Sequence, residues 1–151
     1  MSSVMLDDFI SDEDLAIHRA KYNSIKVPTE NDQFQFALNL IRAKPKPVVQ
    51  EGLSMFQNLF AKTKEEDIKR DSLYYMAVAE TKLNNYEKAL KYLQTILNIQ
   101  PANEQVRDLY IEVNNRMKRD GLIGIGIVGS AALVGFVGLI GLGATLFAKR
   151  H

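Results

Sequence analysis

Few side chains in this sequence are of the kinds that carry covalent or metal chemistry. There is no cysteine, which removes thiolate nucleophiles, disulfides, iron-sulfur clusters and cysteine-bound zinc, and the two histidines, His18 and His151, form no cluster. Carboxylates are the remaining acid-base candidates: Asp7-Asp8, Asp12 to Asp14 and Glu65-Glu66. A catalytic carboxyl needs an apolar pocket or a close like charge to move its pKa toward neutrality. These groups fall instead in an N-terminal arm, a helix start and a loop, where solvated charge is the expected state. A glycine-rich phosphate cradle is missing as well. Eight of the nine glycines lie between Gly121 and Gly143 in an apolar run, with no following Lys-Ser or Lys-Thr to hold phosphate and magnesium. The residue types therefore predict a protein that is not an enzyme, with no cofactor, no metal and no small-molecule substrate.

Charge narrows the partners. Nineteen Lys and Arg against 18 Asp and Glu leave a formal charge of +1, which is no electrostatic footprint for nucleic acid. The chain average hides a split, because residues 122–148, LIGIGIVGSAALVGFVGLIGLGATLFA, contain no charge. As one helix this run would extend about 40 Å at about 1.5 Å per residue, against a hydrocarbon core of about 30 Å. It is bracketed by Lys118, Arg119 and Asp120 on one side and by Lys149, Arg150 and His151 on the other. A transmembrane helix over 122–148 is expected, with 149–151 as a basic tail and the arrangement of a tail anchor. The N-terminus has neither a signal-peptide nor a transit-peptide pattern, so residues 1–121 are expected in the cytosol. Ala131 with Gly135, and Gly135, Gly138 and Gly141 at intervals of three, give the span a small-residue surface. That surface fits a homo-oligomer formed in the bilayer, or simply a span of moderate apolarity.

The elements ahead of the span are helical, since apolar residues recur at spacings of three and four and nothing alternates with a period of two. A first helix is expected from Ser11, capped by Ser11-Asp12-Glu13-Asp14, with Leu15, Ala16, Ile17, Ala20 and Ile25 as its core stripe. A last one is expected from about Asn103 to Met117, with Val106, Leu109, Tyr110, Val113 and Met117 on one side. Between them the sequence repeats. Gly52-Leu53-x-x-Phe56-x-x-Leu59-Phe60 matches Ala89-Leu90-x-x-Leu93-x-x-Ile96-Leu97, and Phe34-Gln-Phe-Ala-Leu matches Tyr74-Tyr-Met-Ala-Val. The prolines of Lys44-Pro45-Lys46-Pro47 mark the connection inside the first unit. Paired helices in units near 34 residues, with Ala77, Tyr86, Ala89 and Pro101 at the small, turn-aromatic, packing and terminating positions, form the tetratricopeptide pattern. The expected fold is all-α: a tetratricopeptide-like bundle of about six helices over 11–120, two repeat units closed by capping helices, preceded by an arm at 1–10.

In such a stack, partners bind the face made by the first helix of each pair. The alignment assigns Phe34, Leu38, Ile41 and Arg42 to that groove from the first copy, and Tyr74, Val78, Thr81 and Lys82 from the second. The groove reads as mostly apolar, which suits an apolar helix or extended segment better than a C-terminal carboxylate. It predicts that Tyr74→Glu with Val78→Glu leaves the scaffold folded and abolishes recruitment. Val4, Met5, Leu6 and Phe9 of the arm supply an internal candidate for the same groove, which makes the arm a candidate autoinhibitory segment.

The stretch SLYYMAVAETKLNNYEKALKYLQTIL, the junction Lys118-Arg-Asp-Gly-Leu-Ile-Gly with its glycine-rich span, the basic C-terminal end and Phe34-Gln35-Phe36-Ala37-Leu38 together resemble the mitochondrial fission 1 family, with Leu38 where a tryptophan is common. The resemblance covers nearly the whole chain. It implies a six-helix, tail-anchored adaptor of the mitochondrial outer membrane, and of the peroxisomal membrane, that recruits a dynamin-related GTPase directly or through adaptor proteins. It also implies links to GTPase-activating and mitophagy factors, and it favours Lys149 and Arg150 as a targeting signal. Two other classes stand beside it: a tail-anchored repeat co-chaperone or import receptor, and a membrane-active protein whose span assembles into a pore.

Overall fold

A computed structural model describes residues 6–121, so the expected span and the basic tail lie outside the described residues. Within the described residues these helices follow one another: α1 (Asp12–Asn23), α2 (Glu30–Ile41), α3 (Lys46–Lys62), α4 (Glu66–Lys82), α5 (Tyr86–Ile99) and α6 (Glu104–Arg119). Among the described residues, no helix is long and apolar enough to cross a membrane.

The helix ends are written in local chemistry. Thr29 and Asp32 close a capping box at the start of α2, with the Asp32 amide donating to Thr29 Oγ1 at 3.0 Å and the Thr29 amide donating to Asp32 Oδ2 at 2.9 Å. The fixed φ of Pro47 suits the first turn of α3, so that helix begins at Lys46, inside the stretch expected to be connection. Asn84 turns the chain between α4 and α5 at φ 63°, a left-handed conformation that asparagine tolerates. Tyr86, 5% exposed, fills the corner beside it, and its hydroxyl donates to Asp120 beyond the end of α6.

Each helix packs against the next in sequence, and α2 also touches α4. The paired units are α2 with α3 and α4 with α5. Phe56 of α3 has no exposed surface and meets Phe34 of α2 edge-on at 5.2 Å and Tyr75 of α4 in a stack at 5.7 Å, tying the two units together. On α6 the expected stripe is buried at Val106, Leu109, Val113 and Met117, with Tyr110 half-buried.

The expected stripe of α1 is not a core stripe. No residue of α1 is buried, and Ile17 is 64% exposed. This helix lies at the end of the stack, where a clasp replaces apolar packing. Tyr22 stacks on Phe36 at 4.4 Å, Arg19 lies over the same ring, and the Arg19 guanidinium donates to both carboxylate oxygens of Glu51 at 2.8 and 2.9 Å. The Arg19 hydrogen bond holds the Glu51 carboxyl below its ordinary pKa.

Candidate functional site

The face made by α2, α4 and α6 is crossed by the N-terminal arm. Leu6 is 2% exposed and belongs to the core cluster. Arg116 Nη2 of α6 donates to both oxygens of Asp7, at 3.0 and 3.1 Å. Arg42, at the end of α2, donates to Asp8 Oδ2 at 3.2 Å, and its carbonyl accepts from the Ile10 amide at 3.1 Å. The Phe9 ring has the ammonium of Lys82, from α4, at 4.8 Å and that of Lys44 at 5.3 Å. Thus the arm touches the C-terminal part of all three helices. Burial of a leucine contributes about 1.5–3 kcal/mol, whereas an exposed ion pair contributes about 0.2–1 kcal/mol. The Asp7 and Asp8 side chains are 62% and 53% exposed, so Leu6 is the main anchor of the arm and the ion pairs set its path. Asp7 and Asp8, expected from the sequence as solvated charge, are therefore ion-paired as well as partly exposed.

The eight groove residues divide in the structure. Phe34, Leu38, Arg42 and Lys82 are half-buried and reachable at the rim. Ile41 and Val78 have no exposed surface, and Thr81 and Tyr74 are 3% and 6% exposed. Ile41 turns toward α3, where its Cγ2 would lie 2.6 Å from a Cβ at Gly52. Helical spacing locates a stripe but not which part of it a neighbour covers, and here α3 covers one edge. Val78→Glu would bury a carboxylate at a position with no exposed surface, so its combination with Tyr74→Glu would unfold the bundle and cannot separate recruitment from folding. Of the arm candidates, Leu6 is buried and Phe9 is 42% exposed; Val4 and Met5 lie outside the described residues.

The groove is also less apolar than its first-helix residues imply. A cleft of about 320 Å³ beside the arm is lined by Lys44, Lys46, Lys82, Arg116 and Arg119, with the carboxylates of Asp7 and Asp120. Arg116 belongs to the last, capping helix, and only the fold brings it to the same cleft as Lys82, 34 positions earlier. Opposite charge was the available signal: two carboxylates in the arm, and cations at the ends of three helices. At the other end of the same face, Tyr74 and Tyr75 meet edge-on at 5.1 Å in a cleft shared with Gln105 and Val106. Among the described residues no group of three or more His, Asp or Glu stands together as a metal set.

Lys82 carries the strongest electrostatic signature here. Its ammonium donates to the Ile41 carbonyl, and burial, with Arg42 nearby, lowers its pKa to about 8 although Asp7 and Asp8 oppose the change. From pH 8 to about 10.5 the unfolded chain keeps a proton that the folded chain has released, so stability rises with pH in that window. Tyr74 acts in the opposite sense above pH 10. Burial raises its pKa to about 12, so the unfolded chain loses its proton first and stability falls. The urea midpoint is expected to climb from pH 8 to near 10 and then turn down. Lys82→Met should remove the climb; an unchanged climb in that variant would assign it to another group.

A stack of helix pairs with a partly occupied face defines a binding scaffold of the tetratricopeptide class. The family model described as the Fis1 C-terminal tetratricopeptide repeat matches residues 70–122. The chain is 38% identical to the mitochondrial fission 1 protein of Bos taurus and 37% identical to that of Homo sapiens, each match covering 91% of this chain and 93% of the relative. A crystal structure of yeast Fis1 in complex with an Mdv1 fragment shares the fold, with a TM-score of 0.69, 24% identity, and coverage of 78% of this chain and 92% of that one. The chain belongs to the mitochondrial fission 1 family. It is accordingly a mitochondrial fission adaptor and not an enzyme.

Proposed function

We propose that the α2, α4 and α6 face recruits a dynamin-related GTPase, or adaptor proteins for one, and that the arm competes with that partner for it. The observation that carries this reading is the arm itself, which occupies the face through Leu6, two ion pairs and Phe9. That a yeast relative was crystallised with an Mdv1 fragment supports a protein partner for this kind of scaffold. The uncharged run 122–148 anchors the chain in the mitochondrial outer membrane, with the helical bundle in the cytosol, and a fraction resides in the peroxisomal membrane. Anchoring concentrates the recruited partner at one surface, and self-association through the glycine-rich face of the span would multiply that effect.

Depletion of the protein is expected to elongate mitochondria in living cells, with normal length restored by the full chain and not by residues 1–121. Unchanged length on depletion would reject the recruiting role, and rescue by residues 1–121 would reject the anchor. Lys149→Ser with Arg150→Ser is expected to shift part of the full chain to the endoplasmic reticulum; an unchanged distribution would remove the basic tail as an address. Deleting residues 1–10 should raise partner capture and amide exchange on the exposed face, and a chain unaltered in both would relegate the arm to a structural strap.

A further inference from the structure

The arm reports what the face recognises, because four consecutive side chains are each read by a different contact. Leu6 is buried, Asp7 meets Arg116, Asp8 meets Arg42, and Phe9 lies between the ammonium groups of Lys44 and Lys82. Two adjacent carboxylates reach guanidinium groups on two different helices, which a single anion or an unordered acidic stretch would not do. The arm also leaves positive charge unspent. Of the five cationic side chains lining the adjoining cleft, Arg116 is held by Glu112 as well as by Asp7 and Arg119 pairs with Asp120, while Lys44, Lys46 and Lys82 form no ion pair among the described residues. Charge complementarity therefore favours a ligand at least as acidic as the arm, while the buried leucine site and the aromatic seat favour a peptide over a bare phosphate.

We infer that the external partner of this face presents a short protein segment with the chemistry of Leu-Asp-Asp-Phe: an apolar residue, two consecutive carboxylates and an aromatic, of which the arm is a resident copy. This rests on the reading of the same face as the recruiting surface and specifies the ligand that reading left open.

The test uses the anchored chain in neutral phosphatidylcholine nanodiscs and a fluorescent peptide of residues 1–12. Two receptors are compared with the intact chain: one lacking residues 1–10, and a full chain with Leu6→Ala, Asp7→Asn, Asp8→Asn and Phe9→Ala, which vacates the leucine site while retaining the rest of the arm should the deletion unfold the bundle. The peptide is expected to bind at least one of these receptors about ten-fold more tightly than it binds the intact chain. Asp7→Asn with Asp8→Asn in the peptide, or Arg116→Gln in the receptor at unchanged helix content, should each weaken binding about ten-fold, the scale of one charge-assisted contact. Equal affinity for the acidic and amide peptides would overturn the inference. So would failure of the peptide to bind either receptor, including the case in which phosphatidylserine vesicles bind the opened face through Arg116. Absence of peptide binding with normal fission rescue would sink the motif and spare the recruiting role; peptide binding with failed rescue would do the reverse.

Discussion

Phe56→Ala is expected to lower the stability of the helical bundle by about 4 kcal/mol, within the range for truncating a fully buried phenylalanine. Phe56 has no exposed surface and sits between Phe34 of the first unit and Tyr75 of the second. Truncation loses both the transfer energy of the ring and its aromatic contacts, and Phe34 and Tyr75, themselves 5.7 Å apart, hold each other in place and cannot close the void. Against a total stability on the order of 5–15 kcal/mol, such a loss brings the domain near its unfolding threshold. Urea unfolding followed by circular dichroism should show a lower midpoint at unchanged slope. A double-mutant cycle with Phe34→Ala should return a coupling of about 0.5–1.5 kcal/mol. A loss below 1 kcal/mol would mean that the ring is not the tie between the units.

The second large effect is at Gly52, where α3 crosses α2. A Cβ there would fall 2.6 Å from Ile41 Cγ2, 2.9 Å from Leu40 Cβ and 3.0 Å from the Ala37 carbonyl oxygen. Ile41 is fully buried, so its side chain has no free space to swing into, and the other two atoms move only with the α2 backbone. Gly52→Val is therefore expected to cost about 3 kcal/mol through overpacking. Gly52→Ala gives the sharper test, because alanine for glycine inside an exposed helix gains about 1 kcal/mol. Here the helices must separate, and the sign is expected to reverse. A stabilised Gly52→Ala protein would show that α2 and α3 have slack at their crossing.

Gly52 also marks how far the sequence reads. Its alignment with Ala89, fully buried in α5, marks from residue types alone the small residue at the close approach of each helix pair. The motif matches between the two units located the helix pairs, and the prolines around Lys46 located the break between the first two, because each is a local signal, decided within a turn or two of backbone. The stripe of α6 was legible for the same reason. For α1 the same spacing misled, since an apolar residue at helical register is buried only if another element arrives to cover it, and the end of a stack has one neighbour fewer.

The binding face shows the same division. The first helices of the two units are identifiable as its walls, and Arg42 and Lys82 lie on its rim, but Ile41, Val78 and Thr81 are buried, Ile41 against α3 at Gly52. Arg116 pairs with Asp7 across 109 residues of sequence, a separation over which no periodicity in the chain carries information. Helix positions, repeat pairing and the absence of thiol chemistry follow from residue types and short spacings, as does the uncharged run at 122–148. The cationic character of the occupied face follows from packing, because Arg42, Lys82 and Arg116 come from the ends of three helices, with Lys44 from the connection after α2, and only their convergence makes a site.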